Sequence, residues 1–331
     1  MKGTTFPPRS VLFLSADLIG STQYKQKFPG WQSIFLSFYR DFPKSLGEQL
    51  SALPQGMSGQ KFTLWKAIGD ELIFEVTVSQ ENEVSDAIQV WLNAVKIYEE
   101  QTLSDKGLTL KSGAFIATFP GPDSESTIPR APEIERSEED VVHRNDAALA
   151  GEHRDHKNYH YDYFGPSIDT GFRILEAATH RFFPITVEVA WALAVAAYNQ
   201  QAENPRAPNH SVDDIVFRGV QQFKGVWGGR EYPVFAIDRE ISNPIHTAIA
   251  TIKREELSAK SIIGVSKACN DSADWPGAIY LPNSQYTPFT HCPADAMESL
   301  RNNAGSLDAV ETLLGSDLGE TDPLPSGSPL E

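Results

Sequence analysis

Residues 11–22 read VLFLSADLIGST: an apolar run that ends on an aspartate, Asp17, and breaks at Gly20. Four consecutive apolar residues, Val11 to Leu14, predict a buried strand over 11–16. About fifty residues on, FTLWKAIGDELIFEV at 62–76 repeats the device. Here runs at 61–66 and 71–78 flank Ile68-Gly69-Asp70, which predicts a hairpin turning at that point. Each carboxylate therefore stands at a strand end beside a glycine turn. Hard divalent cations take oxygen ligands, commonly one or two carboxylates with substrate phosphates. A pair of such ions can clamp the attacking and leaving oxygens of an in-line displacement at phosphorus. The two aspartates point to chemistry on a nucleoside triphosphate.

Outward from these turns, strands and helices alternate. Ser21-Thr22 can cap a helix that carries Phe35, Phe38, Tyr39, Phe42 and Leu46 at steps of three or four. The start of that helix beside Asp17 would offer backbone N–H groups to phosphate oxygens. Residues 85–101 predict a second helix, with Ala87, Trp91, Ala94, Val95 and Tyr98 on one stripe, and 108–118 a strand. Residues 120–160, with four prolines between 120 and 132, read as a long excursion ordered in part. A helix over 167–180, a strand from Phe183 to Val187 and a helix through Ala197 follow. Residues 214–226 and 232–237 form a closing strand pair. Beyond 240 the pattern weakens, and 315–331 has the composition of a disordered tail. The expected division is a catalytic domain over 1–240, with an insert at about 120–160, and an extension over 241–331 of unassigned role.

Composition narrows the classes. The 331 residues carry a net charge of −16, which argues against nonspecific nucleic-acid binding. A nucleotide substrate stays compatible, because bound cations and a few local charges decide that contact. Two cysteines, Cys269 and Cys292, do not make a disulfide framework, and a reducing cytoplasm is expected. The first residues, MKGTTFPPRS, lack the apolar run of a signal peptide, and no stretch has the length of a membrane span.

The motifs DLIGST and KAIGDE resemble the catalytic core of class III nucleotide cyclases. A third segment, YDYFGPSIDTGFRI at 161–174, resembles that family's run of Asp, Gly, Asn and Arg. The spacings of seven (162 to 169) and four (169 to 173) match, and the resemblance covers roughly residues 9–240. It implies a ferredoxin-like α/β fold, with a mostly antiparallel central sheet flanked by helices. It also implies two Mg2+ or Mn2+ ions held by Asp17, Asp70 and the carbonyl of Leu18. Gly20, Ser21 and Thr22 would line the phosphates. Lys66 and Asp162 would read the base, Asp169 would stand where the family has asparagine, and Arg173 would meet the transition-state charge. Lys224, in the closing hairpin, and less directly Lys111 are candidate phosphate lysines. The family assembles its sites between two subunits, so a head-to-tail homodimer is expected.

The residue chemistry leaves the base open. Lysine only donates and an ionised aspartate only accepts, so Lys66 seeks a carbonyl or ring nitrogen and Asp162 an exocyclic amine. That pair also suits adenine. Asp169 in place of asparagine cannot donate while ionised and adds negative charge near the triphosphate. A chain without membrane or sensor segment, with this altered motif and a long insert, resembles the bacterial uridylate and cytidylate cyclases of the Pycsar antiphage system. There the cyclic UMP or cyclic CMP product activates a separate effector. That resemblance implies a base pocket narrowed by a bulky side chain, with Tyr39, Phe62 and Trp65 as candidates; uridine is slightly favoured. The rival readings are an adenylate cyclase, a silent nucleotide-binding module and a nucleotidyl polymerase or diguanylate cyclase. The last lacks its GGDEF-type run here. Glu71 reads as a hairpin-face residue. His143, His153, His156 and His160 read as a solvated loop rather than a zinc site.

Overall fold

Alternation along the first strand sets the two faces of the sheet. In the computed structural model, β1 (Arg9–Ile19) is buried on both sides. Leu12, Leu14, Ala16 and Leu18 enter one apolar cluster, while Val11 and Phe13 enter another. A strand covered on both faces reads as a continuous apolar run rather than an alternating one. The structure describes residues 6–52, 61–136, 138–151, 153–203, 214–253 and 257–303.

After β1 come α1 (Ser21–Lys27), α2 (Gln32–Ser51), the hairpin β2 (Thr63–Ile68) and β3 (Glu71–Val78), α3 (Glu81–Tyr98) and β4 (Thr109–Phe119). These four strands stand in the order β4-β1-β3-β2, every neighbour antiparallel. That is the ferredoxin-like arrangement. Then follow β5 (Ser124–Pro129), α4 (Val141–Leu149), β6 (Tyr159–Phe164), α5 (Pro166–Leu175), β7 (Phe182–Ile185) and α6 (Val187–Glu203). β8 (Ile215–Gln222), β9 (Glu231–Asp238), α7 (Pro244–Lys253), α8 (Ala259–Asn270) and α9 (Glu298–Asn303) complete the order. β7, β9 and β8 extend the sheet beyond β4, with β7 parallel to β4 and the rest antiparallel. Among the described residues, no helix is long and apolar enough to cross a membrane.

The sheet faces are unequally covered. On one, Phe38 and Phe42 of α2, Trp91 and Ala94 of α3, Trp191 of α6 and Ile262 of α8 form a large core. On the other, α5 lays Ile168, Leu175 and Phe172 on Phe13, Phe115 and Ile73, with Trp65 and Tyr163 beside them. Gly171 permits this approach, since a Cβ there would stand 2.3 Å from the Phe115 ring.

Local chemistry explains where the elements depart from expectation. The helix expected from Ser21-Thr22 through Leu46 is two helices. Pro29 disfavours helical backbone at Phe28, which is extended at φ −117°, and α1 ends there. Its N-cap is Gly20, in the left-handed conformation at φ 85°, with no side-chain cap from Ser21 or Thr22. α5 runs only over 166–175, not 167–180. Pro166 suits its first position, and its cap comes from a distant residue. Asp123 Oδ1 accepts the Ser167 and Ile168 N–H groups at 2.9 and 3.3 Å, and Oδ2 accepts the Thr118 N–H at 3.3 Å. Gly165 (φ 142°) lets the Asp123 backbone pass, for a Cβ would meet Asp123 Oδ1 at 2.4 Å and its Cα at 2.7 Å. The Asp123 carboxyl is fully buried, and burial pushes its pKa up to about 6.

Two compact units divide at 125/126, 161/162 and 296/297. The larger holds 6–125 and 162–296. In it, Ile262, Ile279, Leu281 and Phe289 join the large core, Trp275 Nε1 donates to Glu188 at 2.8 Å, and Thr118 Oγ1 donates to the Ala278 carbonyl at 2.8 Å. The smaller holds 126–161 and 297–303 among its described residues. There Asp140 caps α4 by accepting the Val142 N–H, and Arg301 pairs with Asp146 at 2.6 Å. The expected tail at 315–331 lies outside the described residues.

Candidate active site

The register of the central strands brings the first charges together. Asp17 stands directly opposite Glu71 on β3 and Lys111 on β4. Like charges opposite one another repel, and the lysine on the other flank compensates. Lys111 Nζ lies 2.8 Å from Asp17 Oδ2, and the Ser15 hydroxyl donates to Glu71. Asp70, at the hairpin tip, is tied back to β1 by the Leu18 N–H, which donates to the Asp70 carbonyl at 3.3 Å. The Tyr39 hydroxyl donates to the neighbouring Gly69 carbonyl. Lys25 of α1 places Nζ 3.9 Å from Asp70 Oδ1.

Of these groups, Ser15, Asp17, Glu71 and Lys111 line a cleft of about 190 Å3, with Phe172 and Glu176. Burial raises the pKa of Asp17, and Asp70 adds to the rise while Lys111 opposes it. Burial likewise raises that of Glu71, against its Ser15 hydrogen bond. The hydrogen bond to Asp17 raises the pKa of Lys111. A cation would relieve the crowded carboxylates.

A second group sits on the same side of the sheet. A register shift in β2 between Leu64 and Lys66 lets consecutive residues reach one face, as a bulge does. The Trp65 ring packs on Phe13 and Tyr163, and Lys66 Nζ lies 4.0 Å above the Trp65 ring centroid. Asp162, in β6, takes three donors on Oδ1: Lys66 Nζ at 2.7 Å, Trp65 Nε1 at 3.0 Å and the Tyr163 N–H at 2.9 Å.

Other candidates are placed differently. Asp169 and Arg173 lie one turn apart on the exposed side of α5, and Arg173 pairs with Glu176 at 2.8 Å. Lys224 is exposed in the β8–β9 connection; in the strand order, β4, β7 and β9 stand between β1 and β8. Ser21 is buried while Gly20 and Thr22 are exposed. Of the candidates for narrowing a base pocket, Phe62 stacks on Trp91 in the large core, and Tyr39 serves the hairpin tip. Trp65 alone of the three touches the Lys66–Asp162 pair.

Sequence reasoning gave Lys111 little weight and did not mark Lys25 or Trp65 Nε1. Strand alternation could have found Lys111, which stands two residues before Gly113 on the face of Asp17. Lys25 had no signal, because its approach to Asp70 exists only once α1 lies beside the tip of the β2–β3 hairpin.

Asp17 and Asp70 offer hard oxygens and no sulfur or imidazole, which fits Mg2+ or Mn2+. Among the described residues, no group of three or more His, Cys, Asp or Glu side chains forms a complete cage. Mg2+ bound through one or two carboxylates takes its other ligands from waters and substrate phosphates, so the donor set fits.

No protein-family model and no curated protein matches the chain. Among solved structures, it is similar to the adenylyl cyclase CyaB of P. aeruginosa, with 10% identity and a TM-score of 0.44, over 70% of this chain and 94% of that one. It is similar to the guanylate cyclase domain of RhGC from Catenaria anguillulae in complex with GTP, with 10% identity and a TM-score of 0.42, over 71% and 100%. A third is the non-canonical dimeric guanylyl cyclase domain of RhoGC from Blastocladiella emersonii, with 8% identity and a TM-score of 0.41, over 70% and 98%. At such scores and identities these likenesses add nothing to what the chain's own strand order and side chains say.

Proposed function

We propose that the protein is a nucleotide cyclase that converts a pyrimidine nucleoside triphosphate, UTP before CTP, to its 3',5'-cyclic monophosphate and pyrophosphate. One observation carries the reading. Asp17, inside β1 two residues before its end, and Asp70, in the β2–β3 turn, occupy the same side of one sheet as a Lys66–Asp162 donor–acceptor pair. The two aspartates suit cations and phosphates, the donor–acceptor pair a base.

In this reading Asp17 and Asp70 hold the divalent cations, with the Leu18 carbonyl as a further oxygen. Bound there, such ions lower the pKa of the ribose 3'-hydroxyl and neutralise phosphoryl charge. The 3'-oxygen forms a bond to the α-phosphorus as the bond to the bridging oxygen breaks, and the hydroxyl proton passes to solvent. Gly20, Ser21, Thr22 and Lys224 contact phosphates. Arg173 turns from Glu176 to the equatorial phosphoryl oxygens, where a fixed guanidinium stabilises developing charge. Asp169 accepts a hydrogen bond from a ribose hydroxyl. The two groups belong to opposite subunits of a homodimer, so each site takes its cations from one chain and its base-reading residues from the other.

The Asp162 contacts support uridine. Three donors from its own chain already converge on Oδ1, whereas Lys66, with three donors, gives one to Asp162. A base carbonyl suits what Lys66 has left to offer. The product would serve as a cytoplasmic second messenger in antiphage defence, read by a separate effector protein. The same Lys66–Asp162 pair fits adenine, so cyclic AMP is the competing product.

The test is to incubate the pure protein with ATP, GTP, CTP and UTP separately, with Mn2+, and to identify products by mass. Cyclic UMP or cyclic CMP with little purine product is expected. Cyclic AMP as the main product overturns the pyrimidine assignment. No product from any triphosphate favours the silent binding module.

A further inference from the structure

Both candidate cation ligands carry an ammonium group: Lys111 lies 2.8 Å from Asp17, and Lys25 lies 3.9 Å from Asp70. The second contact is an ion pair beyond hydrogen-bond distance, so Asp70 alone does not fix Lys25. Aromatic rings help to hold it there. Its Nζ lies 4.4 Å from the Phe35 centroid and 5.8 Å from that of Trp31, both within cation–π range. Phe35 is buried in the large core, and Trp31 packs on it. The rings thus add to the attraction of Asp70 in holding an ammonium beside the acidic hairpin tip. The side chain is one-third exposed, and its flexible stem can turn outward.

We propose that Lys25 is a further binding residue for the polyphosphate tail of the substrate. This rests on the reading of Asp17 and Asp70 as cation ligands. Divalent cations on those carboxylates repel both ammonium groups, which must then leave. The anions that arrive with the cations are phosphates, and they are the groups an ammonium would next meet. Lys25 holds Asp70 before loading and moves to phosphate oxygens after it, so its charge is matched in both conditions.

The test uses the full chain, Mn2+ and inorganic tripolyphosphate, a probe with no base or ribose. Calorimetry compares the wild type with Lys25→Met, Lys25→Arg and Asp17→Asn, each checked for an unchanged urea unfolding midpoint. Lys25→Met is expected to weaken Mn2+–tripolyphosphate binding by about tenfold, the loss of one charge-assisted contact. It should bind Mn2+ alone as well as the wild type or better, because a competing cation is gone. Lys25→Arg should restore most of the tripolyphosphate affinity, and Asp17→Asn should lose binding of both probes. Equal tripolyphosphate affinity in Lys25→Met and the wild type overturns the Lys25 assignment and leaves the cyclase reading standing. If the wild type binds neither probe, the cation site itself fails and the proposal fails with it.

Discussion

Asp123 makes a prediction whose sign can be worked out. Its carboxyl is fully buried at the start of α5 and accepts three backbone N–H groups. Burial disfavours the ionised form, and the pKa stands at about 6, against 3.8 for an ordinary aspartate. The folded chain therefore binds the proton more tightly than the unfolded chain. The stability this contributes is fully present below about pH 3.8 and is lost as pH rises through about 6. A shift of about two units at 1.36 kcal/mol each amounts to about 3 kcal/mol. Asparagine has the same shape and no charge at any pH. Its oxygen can still accept from Ser167 and Ile168, while its amide group would face the Thr118 N–H. Urea unfolding from pH 4 to pH 8 should show the stability of the wild type, relative to Asp123→Asn, falling by about 2.5 kcal/mol, most of it between pH 4 and pH 6, and levelling off above. Glu188 lies close enough to feel Asp123, and burial also raises its pKa. The comparison should therefore be repeated in a Glu188→Gln background, where the fall should persist. A flat difference, or one that rises with pH, would refute the reasoning. It would mean that the three N–H donors outweigh burial and hold the carboxylate ionised throughout.

Three further outcomes are expected. Gly165→Ala puts a methyl group against the Asp123 backbone at a positive φ and should cost about 2–4 kcal/mol in urea unfolding; an unchanged midpoint would contradict the packing. Asp17→Asn should lower turnover at least about 100-fold while the unfolding free energy stays within about 1 kcal/mol; retained turnover would remove Asp17 from the chemistry. Trp65→Phe keeps an aromatic ring but deletes the N–H given to Asp162. It should cost about 1 kcal/mol of stability and raise KM for the triphosphate severalfold with kcat little changed; an unaltered KM would confine Trp65 to packing.

Most strands were legible because they are apolar and bounded by glycine. The hairpin at Gly69-Asp70 and the strand after Gly107 follow from local pattern alone. Helix ends were less legible. Nothing within 161–180 reveals that Asp123, over forty residues away, caps α5. The break after α1 was in principle readable from Pro29-Gly30, but the apolar stripe through Leu46 outweighed it. At the site, the aspartates announced themselves by their position near turns, whereas Lys66 was marked only by the resemblance of KAIGDE to the cyclase motif. Glu71, Lys111 and Trp65 act through register and a strand irregularity, and such pairings exist only once strands are laid side by side.

The length of α5 explains why a cleft exists where the carboxylates stand. β1 has eleven residues, about 36 Å of extended chain, whereas the ten residues of α5 span about 15 Å. One short helix cannot cover that strand. Val11 and Phe13 lie in the cluster that α5 completes, Ser15 stands at the rim, and Asp17 opens to the cleft beyond. Leu175 and Ala178 line that cleft, so it begins where the helix ends. A helix continued to residue 180, as the apolar pattern there predicts, would add about five residues, roughly 7.5 Å, toward the Asp17 end of the sheet. The early end of α5 thus leaves the space above Asp17 and Glu71 open, while its body seals the apolar part of the same face.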